Sequence, residues 1–230
     1  MTFDPSRVQA ILFDLDGTLV QLRGGQKGGS LAGWLRPAAR WLTNQDPQMA
    51  ARRLFVVTET PTNYALAVLD RIGLDTWLRP LADRARVAKG IGTLGNLHPI
   101  PGVPDLLPRL AQRYPLAVLT NRARREAYGF LEANQLRPYF SAVTTRQDLW
   151  RFKPHPEAVR RTARLLDVPP ERILMVGDMP VDMETAHRAG AQALGVLTGF
   201  ATEAELRAAG ANTILPTAAE MESLLPSFQA

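Results

Sequence analysis

One short apolar run that ends in acidic residues sets the pattern for this chain: Val8–Leu19, with the sequence VQAILFDLDGTL. Its first six residues are almost all apolar, which is typical of a strand buried on both faces of a sheet. The acidic and glycine residues that follow, Asp14–Thr18, predict a loop at the carboxyl end of that strand. The chain is therefore expected to begin with a buried strand that delivers two aspartates to a sheet edge.

Similar apolar runs recur later in the chain and alternate with segments of helical length. The predicted strands are Leu116–Leu119, Ala142–Thr144, Ile173–Val176, Ala193–Leu197 and Thr213–Leu215. The predicted helices are Pro104–Arg113, Arg122–Asn134, Pro156–Leu166, Val181–Ala189 and Glu203–Ala209. This alternation predicts an α/β fold: a doubly wound, Rossmann-like parallel sheet with helices on both of its faces.

The stretch between the first two strands departs from this rhythm. It opens with a glycine-rich segment, Arg23–Gly29, and continues with helix-like apolar stripes in Ser30–Leu42 and Thr62–Ile72. It returns through the proline-rich run His98–Gly102. We therefore predict an α/β core domain of residues 1–19 and 98–230, and a mostly helical cap domain of residues 20–97 inserted after the first strand.

Composition excludes several classes of protein and of site. The chain has 230 residues with no cysteine and only three histidines, which excludes disulfide scaffolds and thiolate metal sites. It carries no apolar run long enough for a transmembrane helix, and no signal peptide is evident at its N-terminus, so we expect a cytoplasmic protein without membrane association. The sequence does not indicate an oligomeric state.

The charge balance is mildly basic, with 27 Lys and Arg residues against 22 Asp and Glu residues, a net charge of +5. A positive field of this kind favours anionic partners. The arginines are scattered along the chain rather than concentrated in one tail, so a small anionic substrate is expected and nucleic acid is not.

Polar residues that can do chemistry follow several of the predicted strands. Ligands of open parallel sheets bind beyond the carboxyl ends of the strands, so these residues are expected at one edge. Four carboxylates gathered there would repel one another unless a divalent cation and an ammonium group balance them. Oxygen ligands suit Mg²⁺, which commonly accompanies a substrate phosphate. The residues are Asp14, Asp16, Gly17, Thr18, Thr120, Asn121, Lys153, Gly177, Asp178 and Asp182.

Two expectations concern the segment after the second strand. Asn121 is expected at the start of the next helix, where free N–H groups favour an anion. Arg122, Arg124 and Arg125 are expected to form a solvated face of that helix.

Four short motifs, in order along the chain, resemble those of the haloacid dehalogenase-like phosphatases. They are Asp14–Leu19 (DLDGTL), Thr120-Asn121, Lys153-Pro154 and Gly177–Asp182 (GDMPVD). The resemblance covers about Val8–Leu19 and Pro101–Leu215, and the run Gly195–Gly199 looks like the phosphoglycolate phosphatase-like branch, whose helical cap lies between the first and second motifs. A single DxD pair would be weak evidence, whereas four motifs in the family's order are strong evidence.

The resemblance implies a Mg²⁺-dependent phosphatase that hydrolyses a small phosphorylated metabolite. Asp14 would be the nucleophile that forms a phosphoaspartyl intermediate, and Asp16 would be the general acid and base. Thr120, Asn121 and Lys153 would bind the phosphate. The metal would be held by Asp14, the backbone carbonyl of Asp16 and Asp178, with Asp182 supporting these ligands.

Other functions remain open from the sequence. A sugar-phosphate phosphomutase could use the same pair of aspartates, and a non-catalytic protein that binds anions or nucleic acid could use the same fold. Among phosphatases, phosphoglycolate, a sugar phosphate and a nucleotide are equally open as substrates.

Overall fold

The computed structural model describes residues 2–21, 97–151 and 153–226. Within these residues, strands and helices alternate along the chain. The strands are β1 (Ala10–Phe13), β2 (Leu116–Leu119), β3 (Ala142–Thr144), β4 (Ile173–Gly177), β5 (Gln192–Val196) and β6 (Thr213–Leu215). The helices are α1 (Val103–Ala111), α2 (Arg124–Ala133), α3 (Glu157–Leu166), α4 (Pro180–Ala189) and α5 (Glu203–Ala208).

The six strands form one sheet in the order β3-β2-β1-β4-β5-β6, and every neighbouring pair is parallel. Every residue of β1 to β5 is buried, whereas the edge strand β6 is half-buried. The chain runs outward from β1 to β3 and then returns to the other side of β1 with β4. The direction of winding therefore reverses between β1 and β4, which is where α/β sheets bind their ligands.

The predicted α/β fold with a parallel sheet is confirmed, and the predicted elements agree with the observed ones to within one or two residues at most ends. The second helix starts two residues later than predicted, and this difference matters for the site. It begins at Arg124 after an extended N-cap at Ala123, so Asn121 and Arg122 precede it. The expectation that Asn121 starts the helix is wrong: residues 121–123 belong to the loop that leaves β2.

Helix α4 begins next to the end of β4 because of its local sequence. Its N-cap, Met179, has extended backbone, and Pro180 occupies the first helical position, where its lack of an N–H group costs no hydrogen bond. Asp182 lies in the first turn of this helix, and its carboxylate accepts a hydrogen bond from the Met179 N–H at 3.2 Å. This capping places Asp182 one turn away from Asp178.

The chain leaves and re-enters this α/β body at adjacent points. The N–H of Gln21 donates to the carbonyl of His98 at 2.8 Å, and the N–H of Ile100 donates to the carbonyl of Leu19 at 2.9 Å. Residues 22–96, nearly all of the predicted helical cap of residues 20–97, lie outside the described residues. The cap and its boundaries therefore stay a prediction. Among the described helices, none has the length and apolar character needed to cross a membrane.

Candidate active site

Three buried carboxylates meet where β1 and β4 end. Asp14 follows β1, Asp178 follows β4 and Asp182 projects from the first turn of α4. One oxygen from each lies within 4.8 Å of the others, and each residue is at most 6% exposed. Residues from distant parts of the chain are thus brought to one point because β1 and β4 are hydrogen-bonded neighbours.

Lys153 balances part of this negative charge. Its Nζ atom lies 2.6 Å from Asp14 Oδ1 and 2.6 Å from Asp182 Oδ1, and its side chain is 3% exposed. Burial alone would lower the pKa of Lys153, but the carboxylates of Asp14 and Asp182 raise it above its ordinary value. The lysine is therefore a permanent cation at this site.

One ammonium does not neutralise three carboxylates. The pKa of Asp14 is raised to about 7: burial is the main cause, the carboxylates of Asp182 and Asp16 add to it, and Lys153 opposes it. Burial disfavours the ionised carboxylate, and the neighbouring carboxylates disfavour it further. The three aspartates together could bind a metal ion, which would supply positive charge.

Two glycines let the backbone come close to Asp178. A Cβ atom on Gly17 would lie 2.4 Å from Asp178 Oδ2, and one on Gly199 would lie 1.6 Å from the same oxygen. Gly17 also has a φ of +71°, a conformation that favours glycine. The N–H of Phe200 donates to Asp178 Oδ2 at 3.2 Å, and the Thr198 hydroxyl donates to the Gly17 carbonyl at 2.5 Å. The loop after β5 therefore surrounds the Asp178 carboxylate, a contact that the sequence analysis missed.

The end of β2 contributes two buried polar residues to the same edge. The Thr120 hydroxyl oxygen accepts a hydrogen bond from the N–H of Arg122 at 3.1 Å, which leaves the hydroxyl proton available to another acceptor. The Asn121 side-chain amide is 3.5 Å from the carbonyl oxygen of Lys153. Both residues directly follow β2, the strand that pairs with β1.

Asp16 lies apart from the three clustered carboxylates and has a different partner. Its side chain is 29% exposed and accepts two hydrogen bonds from Arg122, at 2.5 Å from Nε and 2.6 Å from Nη2. Arg122 is 4% exposed, whereas Arg124 and Arg125 are exposed. The expectation of a solvated face is thus wrong for Arg122, because it precedes α2 and stands at the end of β2.

The predicted site residues therefore form two neighbouring groups. In one, the Lys153 ammonium pairs with Asp14 and Asp182, and Asp178 lies beside these carboxylates. In the other, the carboxylate of Asp16 pairs with Arg122. Arg122 stands three residues past the end of a central strand, and this position is the signal that could have assigned it to the site edge.

Comparison with known proteins identifies the family. The model of the haloacid dehalogenase-like hydrolases matches residues 49–196, which is well over half of the chain. The matched region contains β2 to β5 with Lys153, Asp178 and Asp182. Asp14 and Asp16 precede it.

Two relatives are named as phosphatases. The phosphoglycolate phosphatase of Haemophilus influenzae is 26% identical over 230 residues, which cover 96% of this chain and 99% of the relative. The pyrophosphatase PpaX of Bacillus mycoides is 33% identical over 115 residues, which cover 50% of this chain and 52% of the relative.

A solved structure extends the similarity to the whole chain. A hydrolase of this family from Deinococcus radiodurans, solved with bound phosphate and sodium, has a TM-score of 0.66 and 25% identity. The match covers 98% of this chain and 97% of that protein. The chain therefore belongs to the family of haloacid dehalogenase-like hydrolases.

Proposed function

We propose that this protein is a Mg²⁺-dependent phosphatase that hydrolyses a small phosphate monoester through a phosphoaspartyl intermediate on Asp14. The observation that carries the proposal is the buried group in which Lys153 lies 2.6 Å from both Asp14 and Asp182, with Asp178 alongside. Such a group concentrates positive and negative charge at one point, as phosphoryl transfer requires.

The residues present fit a magnesium ion. The donors are hard carboxylate oxygens, and three buried carboxylates share the charge of one ammonium group. The ion would be held by Asp14, Asp178 and the backbone carbonyl of Asp16. Asp182 would orient Lys153 and support the metal ligands without contacting the ion. When bound, the ion supplies charge that offsets the oxygens of the transferring phosphoryl group.

Each step of the reaction has a candidate residue. A carboxylate oxygen of Asp14 attacks phosphorus, and the bond from phosphorus to the ester oxygen breaks as Asp16 delivers a proton to that oxygen. A water molecule then attacks the phosphorus of the phosphoaspartate and gives up its proton to Asp16, and the bond from Asp14 to phosphorus breaks. Inorganic phosphate leaves, and both aspartates return to their starting state.

Three groups would hold the phosphoryl oxygens. The Thr120 hydroxyl oxygen accepts a hydrogen bond from the Arg122 N–H, and the hydroxyl proton can be donated to a phosphoryl oxygen. Lys153 contributes a charged donor, and the end of β2 places Asn121 beside it. Removal of one such donor typically lowers kcat by about 10²–10³-fold.

The substrate would be a small anionic metabolite. The net charge of +5 favours anions, and one relative is named for phosphoglycolate. The cap of residues 20–97 would exclude bulk water and select among phosphoglycolate, a sugar phosphate and a nucleotide. The adjacent crossing points at Gln21 and His98 support a domain inserted between them.

Trapping of the intermediate tests the proposal. The Asp16→Asn variant, given Mg²⁺ and 4-nitrophenyl phosphate, should accumulate a phosphoryl group on Asp14, because this leaving group needs no acid while hydrolysis of the intermediate needs a base. Mass spectrometry of acid-quenched protein would locate the group. Asp14→Asn should neither accumulate it nor release phosphate.

Two results would contradict the mechanism: Asp14→Asn with most of its turnover intact, or a phosphoryl group found on another residue. A phosphomutase would be recognised differently, by a phosphoenzyme that returns its phosphoryl group to a sugar phosphate faster than to water.

A further inference from the structure

We propose that Arg122 is a positioning residue that acts through Asp16, and that it fixes the orientation of this carboxylate at the edge of the site. The inference rests on the proposed function, in which Asp16 takes a proton from water during hydrolysis of the phosphoaspartyl intermediate. Arg122 is outside the four motifs that indicated the function.

Arg122 and Asp16 form a bidentate pair with two parallel hydrogen bonds, which we call the clamp. Nε of Arg122 donates to Oδ2 of Asp16 at 2.5 Å, and Nη2 donates to Oδ1 at 2.6 Å. Two parallel hydrogen bonds from one planar guanidinium fix both the position and the plane of a carboxylate. A lysine at the same place would supply charge without that orientation.

Arg122 is itself firmly held. Its backbone N–H donates to the Thr120 hydroxyl oxygen at 3.1 Å, and its carbonyl accepts from the N–H of Arg146 at 3.3 Å. The clamp is therefore anchored to the ends of β2 and β3, next to the proposed phosphate-binding residues. A displacement of Asp16 relative to the phosphoryl group would require movement of this strand end or rupture of the clamp.

The exposure of the two side chains indicates that Arg122 supports Asp16 and not the reverse. Arg122 is 4% exposed, although burial of a guanidinium costs hydration free energy. Asp16 is 29% exposed, so water would solvate its carboxylate even if Arg122 were absent. The buried arginine thus supports a carboxylate that stands at the accessible side of the pair. This is the arrangement expected of a supporting residue beneath a group that must meet substrate and water.

The orientation of Asp16 matters differently in the two steps when 4-nitrophenyl phosphate is the substrate. Its leaving group needs no acid, so formation of the phosphoenzyme depends little on Asp16. Hydrolysis of the intermediate needs the Asp16 carboxylate to meet the attacking water in the right position. Loss of Arg122 is therefore expected to slow hydrolysis of the intermediate more than its formation.

Rapid-quench kinetics with 4-nitrophenyl phosphate and Mg²⁺ separate these two steps. Arg122→Gln should lower the rate of phosphoenzyme hydrolysis by about 10–100-fold, the usual effect of removing an orienting partner, and the phosphoenzyme should accumulate in the steady state. In the Asp16→Asn background, Arg122→Gln should change that rate by less than about twofold, since the two residues act as one unit. Arg124→Gln is the matched control, because Arg124 is an exposed arginine that pairs with Asp148 away from the site.

Three results would overturn the inference. One is a double variant whose rate of phosphoenzyme hydrolysis falls by the product of the two single-variant losses. That would mean that Arg122 acts independently of Asp16. Another is a raised KM with unchanged hydrolysis of the intermediate, which would place Arg122 against the substrate. If Arg122→Gln fails to fold in thermal melting, Arg122→Lys decides: it should fold and lose part of the hydrolysis rate, and wild-type behaviour would refute the clamp. Failure of the proposed function would differ, because wild-type protein would then form no phosphoryl-Asp14.

Discussion

Lys153 Nζ lies 2.6 Å from Asp14 Oδ1, although the two residues are 139 positions apart in the chain and both side chains are buried. The contact joins the loop after β3 to the end of β1. It gives the proposed nucleophile a permanent cationic neighbour, which opposes the effect of burial on the pKa of Asp14.

Substitution of Lys153 by Met should affect both activity and stability. We expect kcat to fall by about 10²–10³-fold, because a charged donor to the phosphoryl oxygens is lost. In the absence of divalent metal, the free energy of unfolding should fall by about 3–5 kcal/mol, because the buried carboxylates of Asp14 and Asp182 lose their partner. Urea unfolding in EDTA would measure the second effect.

Two comparisons make the Lys153 prediction specific. Saturating Mg²⁺ should reduce the stability loss of Lys153→Met, because the metal supplies the missing positive charge. Lys153→Arg retains the charge and should lose less stability in EDTA than Lys153→Met. An equal loss in EDTA and in Mg²⁺ would show that Lys153 and the metal do not share the same carboxylates.

The close approach of Gly199 to Asp178 gives a second prediction. In Gly199→Ala, a methyl carbon would lie 1.6 Å from Asp178 Oδ2, so the carboxylate must move. We expect the dissociation constant for Mg²⁺ to rise by at least about tenfold, as for other changes that disturb the orientation of metal ligands. Isothermal titration of the metal-free protein would measure it.

Gly195→Ala provides the control for Gly199→Ala. Its Cβ atom would lie 2.9 Å from Cδ1 of Leu206, an apolar side chain in the core. This variant should lose stability through overpacking while its affinity for Mg²⁺ stays unchanged. If both variants bind Mg²⁺ as the wild type does, Asp178 does not hold the metal.

The sheet was predictable because its strands are nearly continuous apolar runs. β2, β3 and β6 have the predicted limits, and β1, β4 and β5 differ from them by at most two residues. The physical reason is that strands buried on both faces contain almost no polar residues, so each appears in the sequence as a continuous apolar run. The acidic residues after β1 and β4 could then be placed at one edge, since strand ends of a parallel sheet coincide.

The partners within the site were less predictable. The pairing of Arg122 with Asp16 depends on where α2 begins, and helix limits are the least certain part of a sequence pattern. A shift of two residues moved Arg122 from a helix surface to a buried strand end. Likewise, the approach of Gly199 to Asp178 depends on the path of a loop, which apolar periodicity does not describe.

The raised pKa of Asp14 leads to a third prediction, on the cost of keeping this carboxylate ionised. Without metal, Asp14→Asn should raise the free energy of unfolding at pH 8 by at least about 1 kcal/mol, because each unit of pKa shift corresponds to about 1.4 kcal/mol. Lys153 would still be paired with Asp182 in this variant. Urea unfolding of both proteins in EDTA would measure the difference.

The pH dependence of that difference follows from the direction of the shift. The folded protein holds the Asp14 proton up to a pH of about 7, whereas the unfolded chain releases it near the ordinary aspartate pKa of 3.8. Between these limits the folded state binds more protons, so the metal-free wild type should lose stability as the pH rises through this range. Asp14→Asn lacks this contribution, and its advantage should shrink toward pH 4. A variant less stable than the wild type at pH 8 would show that the Asp14–Lys153 pair stabilises the fold more than burial of the charge destabilises it.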